Sequence, residues 1–253
     1  MKTAWLAAAV ALMLFAAGCG QKAAPPDKAQ DEPLAPAGDA GEKPAPPPDL
    51  TRITTDVKAK TVTVEGRFCL GEGILDYLAV VATGHEYESV LALNGKASRL
   101  HAALLAVGGT PGPTDDVLER MKARASEGGK APEQAGSKFR AVVEWEADGK
   151  KVSVPASQLI VSRKTQKPPD DAPWVFTGSY FAKDPDTGKD LYMGDVDQAL
   201  IGVFYAPSAV MNFTVDTGNP YDGMDTGYAV NKDLVPKPGT ACKFILTPWD
   251  AAK

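Results

Sequence analysis

Lys138–Ala156 reads KFRAVVEWEADGKKVSVPA, and this stretch decides the fold class of the chain. Apolar and polar residues alternate on both sides of Asp148-Gly149, a dipeptide typical of a two-residue hairpin turn. Two adjacent antiparallel strands are therefore predicted here. A second alternating run, TVTVEG at Thr61–Gly66, follows a lysine-rich break after Arg52–Asp56 and predicts another hairpin.

Runs of β-branched and aromatic residues that end in turn residues recur along the rest of the chain. They predict strands within residues 75–84, 87–95, 174–181, 199–207, 227–231 and 242–248. Residues 98–108 differ, because apolar residues recur there at helical spacing, with Ser98 as N-cap and Gly108-Gly109 as a stop. A second amphipathic helix is predicted at 114–129. We therefore expect an α+β fold: a mostly antiparallel β domain with one buried helix at about 98–108.

Residues 1–18 have the features of an export signal peptide. Met1-Lys2 is basic, Ala4–Ala17 is apolar, and LFAAGC places Cys19 directly after small residues. The apolar run is shorter than a bilayer-spanning helix requires. LFAAGC resembles the bacterial lipobox, and this resemblance implies that Cys19 carries lipid and begins the mature protein. The alternative is an ordinary secretory signal that is cleaved nearby.

Residues 19–50 form a linker that is rich in proline, alanine, glycine and charge, and they contain no aromatic residue. Such a segment buries too little apolar surface to fold, so we predict a disordered tether ahead of a folded domain at 51–253. The formal net charge of the chain is −5, and its basic residues are scattered. This charge distribution argues against a nucleic-acid partner.

Three stretches of the folded domain resemble the YdjY domain of bacterial envelope proteins. They are VEGRFCLGEGILDYLAVVATGHEYESVLALNGKASRLHAALLAVGGTPG at 64–112, VEWEADGKKVSVPASQLIVSRKTQKPPDDAPWVFTGSYF at 143–181, and DPDTGKDLYMGDVDQALIGVFYAPSAVMNF at 184–213. The likeness covers about residues 53–215. It implies an exported or lipid-anchored protein of the bacterial cell envelope that faces the periplasm or the cell exterior. The family has no assigned activity, so the resemblance supplies no mechanism.

Two departures from the family bear on metal chemistry. Members often carry His-Glu-Ser where this chain has Tyr87-Glu88-Ser89, and His85 lies two residues earlier. Some relatives carry ferredoxin-like cysteine clusters, but this sequence has no Cys-x-x-Cys motif and does not hold an iron–sulfur cluster alone. The resemblance therefore assigns neither a metal nor another cofactor to this chain.

Two cysteines, Cys69 and Cys242, remain once Cys19 is assigned to lipid. In an oxidising compartment a disulfide between them is the simplest interpretation, and it would join the start of the folded domain to its last strand. The alternative is two separate buried thiols, because the sequence alone does not place two cysteines within bonding range.

His101 lies on the predicted helix, on the same face as Leu104, Leu105 and Gly108. We favour a histidine at the edge of the core that donates a hydrogen bond to a carboxylate or a carbonyl. The alternative is a metal ligand or general base. Cys69 could pair with His101 as nucleophile and base, or form a metal site with both histidines. Their spacing matches no zinc or blue-copper arrangement.

Four acidic residues surround two of the predicted strands: Glu72, Asp76, Glu86 and Glu88. Paired carboxylates can transfer protons. Glu72 and Glu88 are the preferred polar candidates, because they lie within the stretches that resemble the family. The alternative is an ordinary soluble surface, which is the commoner role of acidic residues in loops.

These residues form no complete catalytic set, so the sequence favours a protein that is not an enzyme. We expect a membrane-anchored module outside the cytoplasm that binds a small molecule or a protein partner. The alternative is a metal-binding or redox accessory protein that uses Cys69 and His101.

Overall fold

The computed structural model describes residues 49–113, 134–215 and 217–249. The predicted signal peptide at 1–18, the lipidated Cys19, nearly all of the linker and the helix predicted at 114–129 lie outside these ranges. Within them, we find no helix with the length and apolar character needed to cross a bilayer.

Short strands make up most of the regular structure. In chain order they are Ile53–Asp56 (β1), Thr61–Phe68 (β2), Ile74–Leu75 (β3), Tyr77–Val81 (β4), Ser89–Leu93 (β5), Lys138–Ala147 (β6), Lys150–Pro155 (β7), Ile160–Ser162 (β8), Trp174–Phe176 (β9), Phe181–Lys183 (β10), Asp190–Tyr192 (β11), Ala199–Gly202 (β12), Met211–Phe213 (β13), Tyr228–Val230 (β14) and Ala241–Pro248 (β15). The helices are Ala97–Ala106 (α1) and Met193–Val196 (α2), with 3₁₀ turns at Glu86–Glu88 and Ala156–Leu159.

Eight strands close into a barrel in the order β2-β15-β6-β9-β13-β12-β4-β5, and pairing of β5 with β2 completes the ring. The expectation of a mostly β chain with few helices is confirmed. The sequence did not predict closure, nor that β4–β5 and β12–β13 would pair in parallel. Closure is favourable because it pairs the backbone groups that an open sheet leaves at its edges.

The two predicted hairpins are present. In β6–β7, Ala147 pairs with Lys150, and the intervening Asp148 and Gly149 have φ angles of 51° and 70°. Two consecutive left-handed residues match the right-handed twist of the strands, which explains the Asp-Gly pair. The β1–β2 hairpin turns at the lysine-rich break, as the alternation predicts.

Alternate residues of the strands fill the barrel interior. Val62, Val64 and Phe68 of β2 are buried, and their neighbours in sequence are partly exposed. The predicted buried helix is confirmed as α1, whose Leu100 and Leu104 are fully buried in the same core. The alternately buried residues of the strands and the buried face of the helix therefore pack in one apolar interior.

The predicted cap of α1 is wrong. Lys96 occupies the N-cap position, and Ser98 lies inside the helix. Instead, the Asp195 carboxylate accepts hydrogen bonds from the Ser98 backbone N–H at 2.9 Å and from its hydroxyl at 2.6 Å. A carboxylate from another segment thus accepts from a backbone N–H that a local cap would otherwise bind. Its negative charge also interacts favourably with the positive end of the helix dipole.

The strand predicted at 174–181 is shorter than expected. It ends at Phe176, because Gly178 and Ser179 have φ angles of 91° and 60°. A Cβ at Gly178 would lie 2.7 Å from the Pro111 Cβ, so only glycine fits at this turn. The turn directs the Gly178 carbonyl towards α1, where it meets His101.

A separate three-stranded sheet has the order β3-β14-β8. The segment before β14 is held by Arg163, whose Nη1 donates to the carbonyls of Pro220 at 2.6 Å, Thr226 at 2.9 Å and Gly223 at 3.2 Å. This segment carries Tyr221, which is 69% exposed. Arg163 therefore positions a surface aromatic residue through the backbone around it.

Candidate functional site

Two carboxylates meet where the parallel strands β4 and β5 begin. Tyr77 of β4 pairs with Ser89 of β5, so the residues just before them, Asp76 and Glu88, lie side by side. The Asp76 backbone N–H donates to the Glu88 carbonyl at 3.1 Å. Parallel strands start at the same edge of a sheet, and this alignment brings together acids that are twelve positions apart in sequence.

The Asp76 carboxyl is in an unfavourable environment for a charge. Its Oδ1 is buried and has no hydrogen-bond partner among the described residues. Burial, and then the charge of Glu88, raise the pKa of Asp76 to about 6, and His85 partly opposes this shift. A carboxyl group of this kind exchanges its proton near neutral pH and retains an unused acceptor.

Glu88 is paired with an imidazole. His85 Nδ1 lies 2.9 Å from Glu88 Oε1, and the Glu88 side chain is only 13% exposed. Because a carboxylate only accepts, Nδ1 is the protonated ring nitrogen in this arrangement. Tyr77 and Tyr87 flank the His85 ring, with centroids 6.1 Å and 5.8 Å away. We refer to Asp76, His85 and Glu88 as the carboxyl cluster.

Four residues were singled out from the sequence as candidates for a site: Cys69, Glu72, Glu88 and His101. Of these, only Glu88 belongs to the carboxyl cluster. Glu88 lies in the carboxyl cluster, whereas Glu72 is exposed in the link before β3. The sequence ranked Glu72 above Asp76, but the structure pairs Asp76 with Glu88. The available signal was the position of Asp76, directly between the apolar residues of β3 and the buried run of β4.

His101 bonds to a backbone carbonyl, one of the two acceptors expected from the sequence. Its Nδ1 lies 3.0 Å from the Gly178 carbonyl and 3.0 Å from the Tyr192 hydroxyl, which itself donates to Gly178 at 2.9 Å. The imidazole packs edge-on against Phe176 and Tyr192. Burial lowers the pKa of His101, so its neutral form is favoured. Since a carbonyl only accepts, Nδ1 donates, and Nε2 is the ring nitrogen that keeps a lone pair.

Cys69 and Cys242 are free thiols in this structure, and the predicted disulfide between them is not formed. In the register of β15 with β2, Cys242 pairs with Gly66, three residues before Cys69. Three residues of strand span about 10 Å, which exceeds the Cα separation that a disulfide allows. Cys69 Sγ instead donates to the Ser89 carbonyl at 3.1 Å.

Both thiols are poor nucleophiles. Burial raises the pKa of Cys69 to about 12, with a further contribution from the charge of Glu86, and burial raises the pKa of Cys242 to about 12. A protonated thiol neither attacks nor ligates well. The Cys69 thiol bonds to Ser89, whereas His101 bonds to Gly178 and Tyr192, and no metal-ligand group that includes both is found among the described residues.

Across residues 49–113, 134–215 and 217–249, no group of three or more histidine, cysteine, aspartate or glutamate side chains has the arrangement of a metal site. The carboxyl cluster consists of two carboxyl groups and one imidazole. Its available chemistry is proton exchange at Asp76 and the acceptance of hydrogen bonds from a donor.

Comparison with known proteins identifies the family. The model of the YdjY domain matches residues 53–247, a range that runs from β1 into β15 and contains the barrel strands and the carboxyl cluster. No curated protein and no solved structure gives a significant match. Because the matched range covers most of the sequence, the chain belongs to the YdjY domain family.

Proposed function

We propose that this protein is a lipid-anchored binding module of the bacterial cell envelope and that the carboxyl cluster is its ligand site. The anchor is supported by LFAAGC ending at Cys19, and the proline-rich residues that follow would hold the domain away from the membrane surface. The ligand site is supported by the buried Asp76 Oδ1, which has no partner among the described residues.

The Asp76 oxygen carries the argument for binding. A buried acceptor without a donor costs about 1–3 kcal/mol, and native proteins retain few of them. A ligand that donates a hydrogen bond to Oδ1 would remove this cost. It would also meet Glu88, whose Oε1 is already fixed by His85, so one acceptor of the pair is oriented before a ligand arrives.

Binding accounts for these groups better than covalent catalysis does. A covalent mechanism needs an activated nucleophile near its acid and base. The thiol nearest in sequence, Cys69, has a pKa raised to about 12, and its Sγ is committed to the Ser89 carbonyl. The carboxyl cluster therefore supplies recognition groups, and no described residue beside it is shown to supply a covalent step.

The membrane anchor is tested by metabolic labelling with an alkyne fatty acid in bacterial cells that express the full chain. We expect the label on the wild-type protein and none on Cys19→Ala, which should also leave the membrane fraction. Cys69→Ala is the matched control and should remain labelled. A Cys19→Ala protein that keeps both the label and the membrane association would contradict the anchor.

The ligand site is tested by nuclear magnetic resonance on the mature chain with Cys19→Ala. A fragment set with equal numbers of cationic, anionic and neutral compounds is added, and backbone amide shifts are followed. We expect at least one class to shift the amides of Asp76, His85 and Glu88. Asp76→Asn should abolish the response and Glu72→Gln should not. Fragments that shift only other regions would refute the assignment.

A further inference from the structure

We propose that the ligand of the carboxyl cluster presents a primary ammonium group, carried by a free amine or by a lysine side chain. This inference rests on the proposed function, because it names the chemistry that the proposed site recognises. It follows from the charge of the cluster, from the aromatic residues around it and from the way these residues are held.

Arg67, on the neighbouring strand β2, is paired with a carboxylate outside the cluster. Arg67 Nη2 donates to both oxygens of Glu86, at 2.8 Å and 2.9 Å, so its guanidinium is engaged outside the cluster. His85 Nδ1 donates to Glu88, and nothing donates to the buried Oδ1 of Asp76 within the described ranges. The cluster has two carboxyl groups and one imidazole, so a bound cation would offset its negative charge.

Two exposed tyrosines border the cluster. Tyr87 is 72% exposed and Tyr221 is 69% exposed. The hydroxyl of Tyr87 lies 3.3 Å from His85 Nδ1. The negative charges of Asp76 and Glu88 both raise the pKa of Tyr221, which places Tyr221 within electrostatic range of the two acids. Aromatic faces attract cations, and exposed tyrosines beside carboxylates therefore favour a cationic ligand over a neutral one.

Tyr221 is held in place before any ligand binds. Arg163 fixes the carbonyls of Pro220 and Gly223 on either side of it. The Tyr221 backbone N–H also donates to the Asn219 side chain at 2.9 Å. Because this segment is already ordered by hydrogen bonds, binding of a ligand would not incur the entropy cost of ordering it.

A primary ammonium fits the acceptors better than other cations. It carries three donors that can turn towards separate acceptors, whereas a quaternary ammonium has no donor. Asp76 Oδ1 needs one donor, and Glu88 and a tyrosine hydroxyl can accept the others. An ammonium is also a compact point charge that can meet separate acceptors, whereas a planar guanidinium prefers a paired approach to one carboxylate.

The test uses 1,5-diaminopentane and 1,5-pentanediol, which match in length and differ in charge. Each is titrated into the mature chain with Cys19→Ala, with amide shifts as readout. We expect saturable shifts at Asp76, Glu88 and Tyr221 with the diamine, and none with the diol or tetramethylammonium. N-acetyl-lysine methylamide forms a second arm, and tighter binding than the diamine would identify a lysine side chain as the source.

Variants separate charge from folding. Asp76→Asn and Glu88→Gln should each weaken diamine binding at least tenfold, whereas Glu72→Gln should leave it unchanged, with circular dichroism confirming that each variant folds. Equal binding of diamine and diol, or unchanged binding to Asp76→Asn, would overturn the ammonium inference. If only neutral or anionic fragments shift the cluster, this inference fails and the proposed function stands. If no fragment does, both fail.

Discussion

Asp195 caps helix α1 across a separation of 97 residues, because one carboxylate accepts from both the backbone N–H and the hydroxyl of Ser98. The contact joins α2 to the start of α1, so it links two parts of the chain as well as capping a helix. A local sequence motif could not reveal it. It offers a direct measure of how much the long-range contact stabilises the fold.

Asp195→Ala should lower the free energy of unfolding by about 1–2 kcal/mol, the usual cost of losing an N-cap. Ser98→Ala removes only the hydroxyl bond and should cost about 1 kcal/mol. Urea unfolding of the two variants and the double variant checks this, and the double variant should cost less than the sum. Asp186→Ala, at an exposed turn, is the control. Fully additive losses would contradict a shared contact.

His101 should be replaceable by a ring of similar shape. His101→Phe keeps the packing against Phe176 and Tyr192 and loses one hydrogen bond, so we expect a loss of about 1 kcal/mol in stability. Tyr192 still donates to the Gly178 carbonyl in this variant. Urea unfolding at neutral pH measures the change, and a collapse of the fold or of diamine binding would show a larger role.

The same residue predicts a pH effect. Burial places the pKa of His101 below its ordinary value of 6.5. The unfolded chain therefore binds a proton at a higher pH than the folded chain does. The contribution of His101 to stability is present above pH 6.5 and is lost as pH falls below it. His101→Phe should flatten this part of the stability profile, and an unchanged profile would contradict the assignment.

Asp76 has the opposite dependence. Its pKa is raised from 3.8 to about 6, so between these values the folded chain holds a proton that the unfolded chain has lost. Stability should therefore fall as pH rises from about 4 to about 6. The carboxyl group is partly solvated, which reduces the effect, and Asp76→Asn should gain about 1 kcal/mol at pH 7.5 and little at pH 4.

Thermal unfolding at the two pH values tests this prediction. Glu72→Gln, at an exposed position, should show no gain at either pH. The groups that act on Asp76 are Glu88 and His85, with Tyr77 and Tyr221 also in electrostatic range. A gain that is equal at both pH values would show that the substitution acts through packing and not through the charge of Asp76.

The thiols should be unreactive in the folded protein. With the pKa of each raised to about 12, Cys69 and Cys242 are protonated at pH 8. In the mature chain with Cys19→Ala, we expect almost no reaction with a disulfide reagent until denaturant is added, and then two thiols per chain. Intact mass spectrometry checks this prediction, because a disulfide would lower the mass of the chain by about two daltons relative to its reduced form.

The sequence by itself determined the local elements. Alternation around Asp148-Gly149 specifies β6–β7, because a two-residue turn with positive φ fits few other residues. Apolar spacing from Leu100 to Val107 likewise specifies a buried helix, because neighbours on one helical face are three or four residues apart. The stretches that resemble the YdjY family also identified the domain, which the family match confirms.

Only the tertiary structure decided which distant residues meet. The parallel register of β4 with β5 places Asp76 beside Glu88, and the pairing of β5 with β2 closes the barrel. Tertiary structure also brings Asp195 to Ser98, and it brings Tyr221 within electrostatic range of Asp76. Backbone propensity and turn chemistry act over a few neighbouring residues, whereas barrel closure and the pairing of distant strands depend on packing between segments that are far apart in the sequence.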